Sequence, residues 1–276
     1  LTFIASVNPT TRYVGAQPVF FGCDETATMD PDAVEDFCAN QCELKADGLY
    51  NKRTGARVSA LVLVHVFGNM ADMPRFLRIA KDYKLTLIED AAEALGTKYT
   101  EGPLAGKFAG TMGDVGAYSF NGNKIITTGT GGTLVSNHPE WTERAKHLST
   151  QAKTDLLQFK HDEVGYNYRM TNIDACLGLA QMELLEGFIA HKTARYEQYK
   201  AALDGVKGFS MLPFREGTRS NHWFYSLLLP DRLERDDVIA RLQAQGIQTR
   251  PVWSLINEQC DYGSCETHAM DVARED

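Results

Sequence analysis

Short apolar runs alternate with amphipathic segments over the first two thirds of the chain. The apolar runs are rich in β-branched and aromatic residues, and they predict strands at Pro18–Phe21, Val58–His65, Leu85–Glu89, Val115–Phe120 and Gly132–Ser136. Helices are predicted between them at Asp72–Tyr83, with Asp72 as N-cap and Pro74 in the first turn, and at Glu140–Ser149. This alternation predicts an α/β fold in which helices cover a mainly parallel sheet.

The last third of the chain has a different pattern. Apolar residues repeat at helical spacing from Thr171 to about Leu203, and we predict one long helix there. The segments that follow are shorter and mixed in type, namely a strand at Trp223–Leu229, a helix at Arg235–Gln245 and the start of a strand at Ile247–Arg250. We therefore predict a large domain, residues 1–205, and a smaller α+β domain, residues 206–276.

Two residues that can carry chemistry follow predicted strands. Asp90 comes directly after Leu85–Glu89, and Lys124 lies in the Gly- and Thr-rich loop after Val115–Phe120. Parallel sheets bind ligands beyond the carboxyl ends of their strands. Pyridoxal phosphate (PLP) needs an amine that holds its aldehyde as a Schiff base and a carboxylate that keeps its pyridine nitrogen protonated. Lys124 and Asp90 are the candidates for these two roles.

Each of these two residues also has a simpler interpretation. Lys124 alone could be a surface lysine in a turn, and Asp90 could cap a helix over the following Ala-Ala-Glu-Ala segment. The combination favours the functional interpretation. A Schiff-base lysine must be able to lose its proton, and the small and apolar residues around Lys124 would permit the burial that promotes this.

Other positions carry two interpretations each. Ser119 and the turn Gly129–Gly132 could present hydroxyl and N–H groups to a phosphate, or the turn could be a plain hairpin. Asn167 and Arg169 precede the long helix, where they could meet an anion or belong to a capping segment. His65 is as consistent with a core residue as with an active-site contact.

Composition narrows the class of protein. Of the 276 residues, 43% are hydrophobic and 23% charged, which is ordinary for a globular protein. The net charge of -8 argues against a nucleic-acid or anionic-membrane surface, and no apolar run is long enough to cross a bilayer. The six cysteines lack the tight spacing of a zinc site, so we predict no metal and free thiols in a reducing compartment.

The ends of the chain carry a further expectation. The N-terminus lacks the basic segment of a signal peptide, and we therefore expect a cytoplasmic protein. The chain begins at Leu1 rather than at a methionine and stops abruptly at Asp276. We expect it to be incomplete at both ends.

Together the motifs resemble the sugar aminotransferases of the DegT/DnrJ/EryC1/StrS family. The matching segments follow the family's order along the chain, and they are Thr2–Ala5, Gly15–Phe20, Val64–Gly68, Glu89–Ala94, Gly113–Phe120, Lys124 with Thr128–Gly132, and Gly165–Arg169. The resemblance is densest from Ser59 to Gly187 and thin after Gly205. Taken as a set, these motifs are specific to the family.

The resemblance implies a fold type I PLP enzyme of the aspartate-aminotransferase-like architecture that works as a homodimer with shared active sites. It implies that Lys124 is the Schiff-base lysine and that Asp90 pairs with the pyridinium nitrogen. It also implies four further cofactor contacts, made by Phe3 stacking on the ring, Glu93 touching the ring or its 3-hydroxyl, Ser119 binding the phosphate, and Asn167 reaching the phosphate across the dimer interface.

Two features depart from the family pattern. The Ser-Gly-Thr motif of the phosphate cup would lie upstream of Leu1, and the usual Gly-Glu-Gly-Gly turn is Gly-Thr-Gly-Gly at Gly129–Gly132. Ser119–Thr128 and Thr150–Lys153 resemble the branch that makes legionaminic-acid or bacillosamine-type precursors. This branch implies transfer of an amino group, with glutamate as the expected donor, to the 4-keto group of a nucleotide-linked 6-deoxy-N-acetylhexosamine.

Alternatives to this function stay open at the level of sequence. One is the PLP-dependent sugar dehydratase branch, in which histidine replaces the lysine, and another is a non-catalytic or regulatory homologue of the same fold. The intact Lys124 and Asp90 argue against both. His222, Arg250 and Trp253 are candidates for binding the sugar nucleotide, and a core position is the alternative for Trp253.

Overall fold

The structure is a computed structural model that describes residues 11–155 and 157–271, apart from the side chain of residue 232. Its strands are β1 Val19–Phe21, β2 Cys42–Lys45, β3 Gly48–Asn51, β4 Arg57–Val58, β5 Ala60–Val64, β6 Thr86–Asp90, β7 Lys98–Tyr99, β8 Val115–Ser119, β9 Gly132–Ser136, β10 Lys153–Asp155, β11 Lys160–His161, β12 Ser210–Met211, β13 Thr218–Arg219, β14 Leu227–Leu228 and β15 Glu266–His268. Its α-helices are α1 Pro31–Asp36, α2 Met73–Asp82, α3 Pro139–Ser149, α4 Asn172–Met182, α5 Leu185–Leu203 and α6 Arg232–Ala244.

A four-stranded sheet in the order β5-β6-β8-β9 forms the centre of the fold. The first three strands are parallel, with Val64 opposite Asp90 and Asp90 opposite Ala117, whereas β9 joins β8 in the antiparallel direction. The carboxyl ends of three neighbouring strands therefore meet at one edge. The predicted α/β fold and its parallel sheet are confirmed.

One predicted strand of this region is divided in two. The sequence predicts a single strand at Val58–His65, but β4 ends at Val58 and β5 begins at Ala60. The two strands have different partners, because Val58 pairs with Leu49 of a separate hairpin while Ala60 pairs with Thr86 of the central sheet. The break at position 59 allows the chain to pass from one sheet to the other.

Helix α2 packs against the central sheet as predicted. Asp72 is its N-cap, and the Asp72 side chain accepts a hydrogen bond from the Arg75 N–H at 3.2 Å. Phe76 and Ile79 of this helix are buried in the same cluster as Leu63 and Leu87 of the sheet. Burying an apolar side chain of this size stabilises the fold by about 1.5–3 kcal/mol.

The Glu89 carboxylate is buried beneath the carboxyl edge of the sheet. It accepts four hydrogen bonds, one from His65 Nε2 at 2.9 Å and three from the backbone N–H groups of Gly110, Met112 and Gly113. Burial alone would raise the pKa of Glu89, but the bond from His65 and the backbone donors outweigh it and hold the pKa below its usual range.

His65 is a core residue, so the structure decides between its two interpretations. Its side chain is fully buried, and its Nδ1 accepts a hydrogen bond from the Ala71 N–H at 3.2 Å. The proton must therefore be on Nε2, which donates to Glu89. Both ring nitrogens have protein partners, so the imidazole holds Glu89 in position rather than contacting a ligand.

The loop that binds Glu89 lies directly on strand β8. Gly116 is buried in this strand, and a Cβ atom added to it would overlap the carbonyl oxygen of Gly110. The two backbones can approach this closely only because position 116 has no side chain.

The predicted helix from Thr171 to Leu203 is wrong as a single element, because it is two helices, α4 and α5. Residues 183 and 184 form a turn between them, in which the Leu184 N–H donates to the Gln181 carbonyl oxygen at 3.1 Å. The two helices also pack differently. No residue of α4 is buried, whereas α5 buries Leu185, Ile189 and Tyr196.

The predictions for residues 206–276 are confirmed only in part. Helix α6 is present, but Trp223–Leu229 is not a continuous strand, since only β14 pairs there, with β12. Ile247–Arg250 forms no strand. Trp223 is held by side-chain hydrogen bonds instead of strand pairing.

Two strand pairs cross the predicted domain boundary, β13 with β7 and β15 with β1. The division into residues 1–205 and 206–276 stays a prediction.

None of the helices in the described parts of the chain is both long and apolar enough to cross a membrane. Free thiols are found, as predicted, at Cys38, Cys42, Cys176, Cys260 and Cys265.

We expect Glu89→Ala to lower the free energy of unfolding by about 3–5 kcal/mol, because it leaves His65 and three buried N–H groups without their acceptor. Equilibrium urea denaturation followed by circular dichroism measures this change. The control is Glu143→Ala on the exposed face of α3, which should change stability by less than about 0.5 kcal/mol. Equal effects of the two substitutions would contradict the role of Glu89.

Candidate active site

Asp90 and Lys124 lie at the same edge of the central sheet. Asp90 is the last residue of β6, and Lys124 is in the loop that connects β8 to β9. Since β6 and β8 are parallel neighbours, the segments that follow them leave the sheet together. The structure therefore brings these two predicted site residues into one place.

The Asp90 carboxylate is buried, with only 9% of the residue exposed. Burial raises its pKa, while a hydrogen bond from the Ala92 N–H at 3.0 Å and the positive charge of Lys124 act in the opposite direction. Residues 91–97 form turns, so the alternative interpretation of Asp90 as a helix N-cap is wrong. Within the described residues this carboxylate forms no ion pair, which leaves it able to bind a cationic group of a ligand.

Glu93 links Lys124 to the turn after β5. Its Oε1 lies 3.4 Å from Lys124 Nζ, and its Oε2 accepts a hydrogen bond from the Phe67 N–H at 2.8 Å. Phe67 has a φ of 57°, in the left-handed region that residues with a side chain rarely adopt. Burial raises the pKa of Glu93 to about 7, although the Lys124 charge and the Phe67 N–H act to lower it. Glu93 can therefore take up or release a proton beside Lys124 near neutral pH.

The aromatic side chain of Trp223, which the sequence predicted only as part of a strand, covers Lys124. The Lys124 side chain is 11% exposed, and its Nζ lies 4.1 Å from the centroid of the Trp223 ring. Trp223 Nε1 in turn donates a hydrogen bond to the Asn123 carbonyl oxygen at 2.6 Å. No local signal in the sequence could have found this contact, because Trp223 and Lys124 lie far apart along the chain.

The Lys124 loop is fixed to the helices behind it. The Thr127 N–H donates to Gln181 Oε1 of α4 at 2.9 Å. Ile126 is buried in a small cluster with Leu185 and Ile189 of α5. One polar and one apolar contact therefore hold the loop just after Lys124, which limits the positions that its amine can reach.

The other predicted cofactor residues lie in different environments. Ser119 ends β8, and its Oγ accepts a hydrogen bond from the Asn121 N–H at 3.2 Å. Asn167 is exposed, and its Oδ1 accepts from Arg169 Nε at 3.0 Å. Phe3 lies outside the described residues. The roles assigned to these three residues stay predictions.

The residues considered for the sugar nucleotide also lie in different environments. His222 is buried with its ring stacked on Tyr196, and burial, together with the nearby Lys192 charge, lowers the pKa of His222 to about 4. Trp253 is 42% exposed and lies 5.6 Å from Phe67 between ring centroids. The alternative of a core position for Trp253 is therefore wrong.

The DegT/DnrJ/EryC1/StrS aminotransferase family matches the chain over residues 1–274. The chain belongs to this family. Its members are PLP-dependent enzymes, and the predicted resemblance is confirmed.

Three relatives are similar in sequence to most of this chain. It is 37% identical over 259 residues to the putative pyridoxal phosphate-dependent aminotransferase EpsN of Bacillus subtilis, covering 94% of this chain and 63% of that protein. It is 36% identical over 257 residues to the GDP-perosamine synthase of Escherichia coli O157:H7, covering 92% and 63%. A UDP-4-amino-4,6-dideoxy-N-acetyl-beta-L-altrosamine transaminase of Campylobacter jejuni is 29% identical over 228 residues, covering 79% and 58%. The chain thus spans less than two thirds of the length of these relatives.

Solved structures of the family share the fold. A DegT DnrJ EryC1 StrS aminotransferase from Brucella abortus matches with a TM-score of 0.85 and 25% identity, covering 98% of this chain and 69% of that one. Helicobacter pylori PseC, an aminotransferase involved in the biosynthesis of pseudoaminic acid, matches with a TM-score of 0.85 and 23% identity, covering 99% and 69%. The predicted fold type I architecture is confirmed.

The described residues of this family member fit PLP. Lys124 supplies a mostly buried amine that borders a cavity of about 340 Å³. Asp90 supplies a buried carboxylate with a raised pKa, and a cationic ring nitrogen beside it would lower that pKa again. An amine and an uncompensated carboxylate at one sheet edge are the pair of groups that this cofactor requires.

The raised pKa of Glu93 predicts a pH dependence of stability. The folded protein binds this proton more tightly than the unfolded chain, so stability falls as the pH rises from 4.5 towards the folded value of about 7. We expect Glu93→Gln to remove this fall, so that the variant gains stability relative to the unsubstituted protein over that range.

Urea denaturation at a series of pH values measures this difference. Glu101→Gln, at an exposed position, is the matched control and should follow the unsubstituted protein. Identical pH profiles for all three proteins would show that Glu93 titrates as it does in the unfolded chain.

Proposed function

We propose that this chain forms the PLP-binding part of an enzyme that transfers an amino group from an amino acid to a nucleotide-linked keto-sugar. The observation that carries this proposal is the arrangement at one sheet edge of Lys124 with two buried acids, Asp90 and Glu93. The relatives from Bacillus subtilis and Escherichia coli support the same class of reaction by their names.

The cofactor supplies an aldehyde to which amines attach and a ring that takes up negative charge. Lys124 Nζ is the amine that would hold the aldehyde, and it is also the base placed to move a proton. The Asp90 carboxylate would bind the protonated ring nitrogen. Glu93 Oε1 would hold a proton next to Lys124 Nζ, and the Trp223 ring would exclude water from the other side of that amine.

For the substrates we propose the 4-keto group of a nucleotide-linked 6-deoxy-N-acetylhexosamine as acceptor and glutamate as donor. The name of the Campylobacter jejuni relative supports an N-acetylated 4-amino-4,6-dideoxy sugar on UDP, whereas the more similar Escherichia coli relative is named for a GDP-linked sugar. Parallel assays with GDP- and UDP-linked keto-sugars would distinguish the two nucleotides.

The remaining assignments belong to the same proposal. We propose a cytoplasmic homodimer with a large domain, residues 1–205, and a small domain, residues 206–276. Within it, Ser119 would bind the cofactor phosphate, Phe3 would stack on the cofactor ring, and Asn167 would reach the phosphate of the partner's site. The exposed position of Asn167 is consistent with a contact outside its own chain.

The first test is chemical labelling with PLP and borohydride, followed by peptide mapping. We expect a pyridoxyl group on Lys124, because its amine is enclosed beside an acid that can accept its proton. Lys124→Ala should lose this label and lower the rate of transamination by at least about 10²–10⁴-fold. Lys146→Ala, on the exposed face of α3, is the control and should retain both.

An unlabelled Lys124 in the unsubstituted protein would favour the non-catalytic homologue over the enzyme. Label with no transfer to any keto-sugar would keep the cofactor and remove the proposed substrate class.

A second test concerns Asp90. Asp90→Asn removes the negative charge opposite the ring nitrogen, and we expect PLP to bind about 10–100-fold more weakly, the effect of losing a hydrogen bond to a charged group. Titration of the cofactor's visible absorbance measures this affinity. Asp82→Asn at the exposed end of α2 is the control, and equal affinities of the two variants would contradict the role of Asp90.

A further inference from the structure

The cavity beside Lys124 is bordered by a second lysine. Lys192 of α5 lines the same space of about 340 Å³ as Lys124, and Gln181, Trp223 and Phe224 form other parts of its wall. The Lys192 side chain is partly buried, and its Nζ lies 5.2 Å from the centroid of the Tyr225 ring. The cavity is therefore lined by two lysines and an aromatic wall.

The two lysines differ in their partners. Lys124 has Glu93 within ion-pair distance, whereas Lys192 forms no ion pair with any acid in the described parts of the chain. Burial lowers the pKa of Lys192, and its charge in turn helps to lower the pKa of His222. A partly buried cation without a counter-ion costs free energy, and a bound anion would recover it.

We propose that Lys192 binds an anionic oxygen group of the substrate inside this cavity, either a carboxylate of the amino donor or a phosphate of the nucleotide. The inference rests on the proposed function, since it assumes that this cavity receives the substrates of transamination. The lysine ammonium is a compact point charge that can bind carboxylate or phosphate oxygens. Trp223 and Phe224 would cover the apolar part of the same ligand.

Calorimetric titration with two probe anions tests the proposal without an activity measurement. The probes are inorganic diphosphate for the nucleotide and 2-oxoglutarate for the amino donor. Lys192→Met and Lys192→Gln remove the charge and should weaken the binding of at least one probe by about tenfold or more. Lys192→Arg keeps the charge and should retain most of the affinity.

The matched control is Lys200→Met, two helical turns further along α5, at an exposed position that does not line this cavity. It should bind both probes as the unsubstituted protein does. Thermal unfolding of each variant verifies that it is folded. Because two uncharged side chains of different shape are compared, a packing defect in one of them would not be mistaken for the loss of charge. Loss of diphosphate binding alone assigns a phosphate subsite, and loss of 2-oxoglutarate binding alone assigns a carboxylate subsite.

Unchanged affinity for both probes in the uncharged variants overturns the inference, as does an equal loss in Lys200→Met or a failure of the unsubstituted protein to bind either probe. Borohydride labelling separates this result from the proposed function. Label on Lys124 together with unchanged anion binding in Lys192→Met overturns the role of Lys192 alone. An unlabelled Lys124 overturns the enzyme assignment, whatever the titrations give.

Discussion

The buried Glu89 carboxylate fixes the carboxyl edge of the central sheet, and the candidate site depends on it. It accepts hydrogen bonds from one side chain and three backbone N–H groups. The carboxylate therefore links the end of β6 to the imidazole of His65 and to the loop at residues 110–113. Successive residues of a strand point to opposite faces. Because Glu89 is held on one face, Asp90 must present its carboxylate on the other, towards the Lys124 loop.

The chemistry of this edge comes from acids and amines that are incompletely paired. Glu93 is shared between the Phe67 N–H and Lys124, Asp90 has a single backbone donor within the described residues, and Lys192 has an aromatic neighbour instead of an acid. In a low-dielectric site such groups interact strongly with any ligand of the opposite charge. The protein keeps them in place with contacts further back, such as the hydrogen bond from Thr127 to Gln181.

The sequence predicted those features that depend on local rules. The parallel-strand rule placed Asp90 and Lys124 at one edge, and the Asp72 cap placed the start of α2. The contact of Glu93 with Phe67 was not predictable, because it requires a left-handed backbone at a bulky residue. The separation of α4 from α5 was not predicted because the apolar repeat continues through Leu184, although residues 183 and 184 form a turn. Trp223 contacts Lys124 although it lies 99 residues away in the sequence, and no local pattern encodes that contact.

The contact between Gly110 and Gly116 has a consequence for how this family member can change over time. The two segments pack backbone against backbone, so any side chain at position 116 would displace the loop. The N–H groups of that loop donate hydrogen bonds to Glu89. No second mutation nearby can compensate, because the obstacle is a carbonyl oxygen rather than a side chain that could be shortened. We therefore expect position 116 to remain glycine in any lineage or mutant library that retains this loop, however far the substrate pocket diverges.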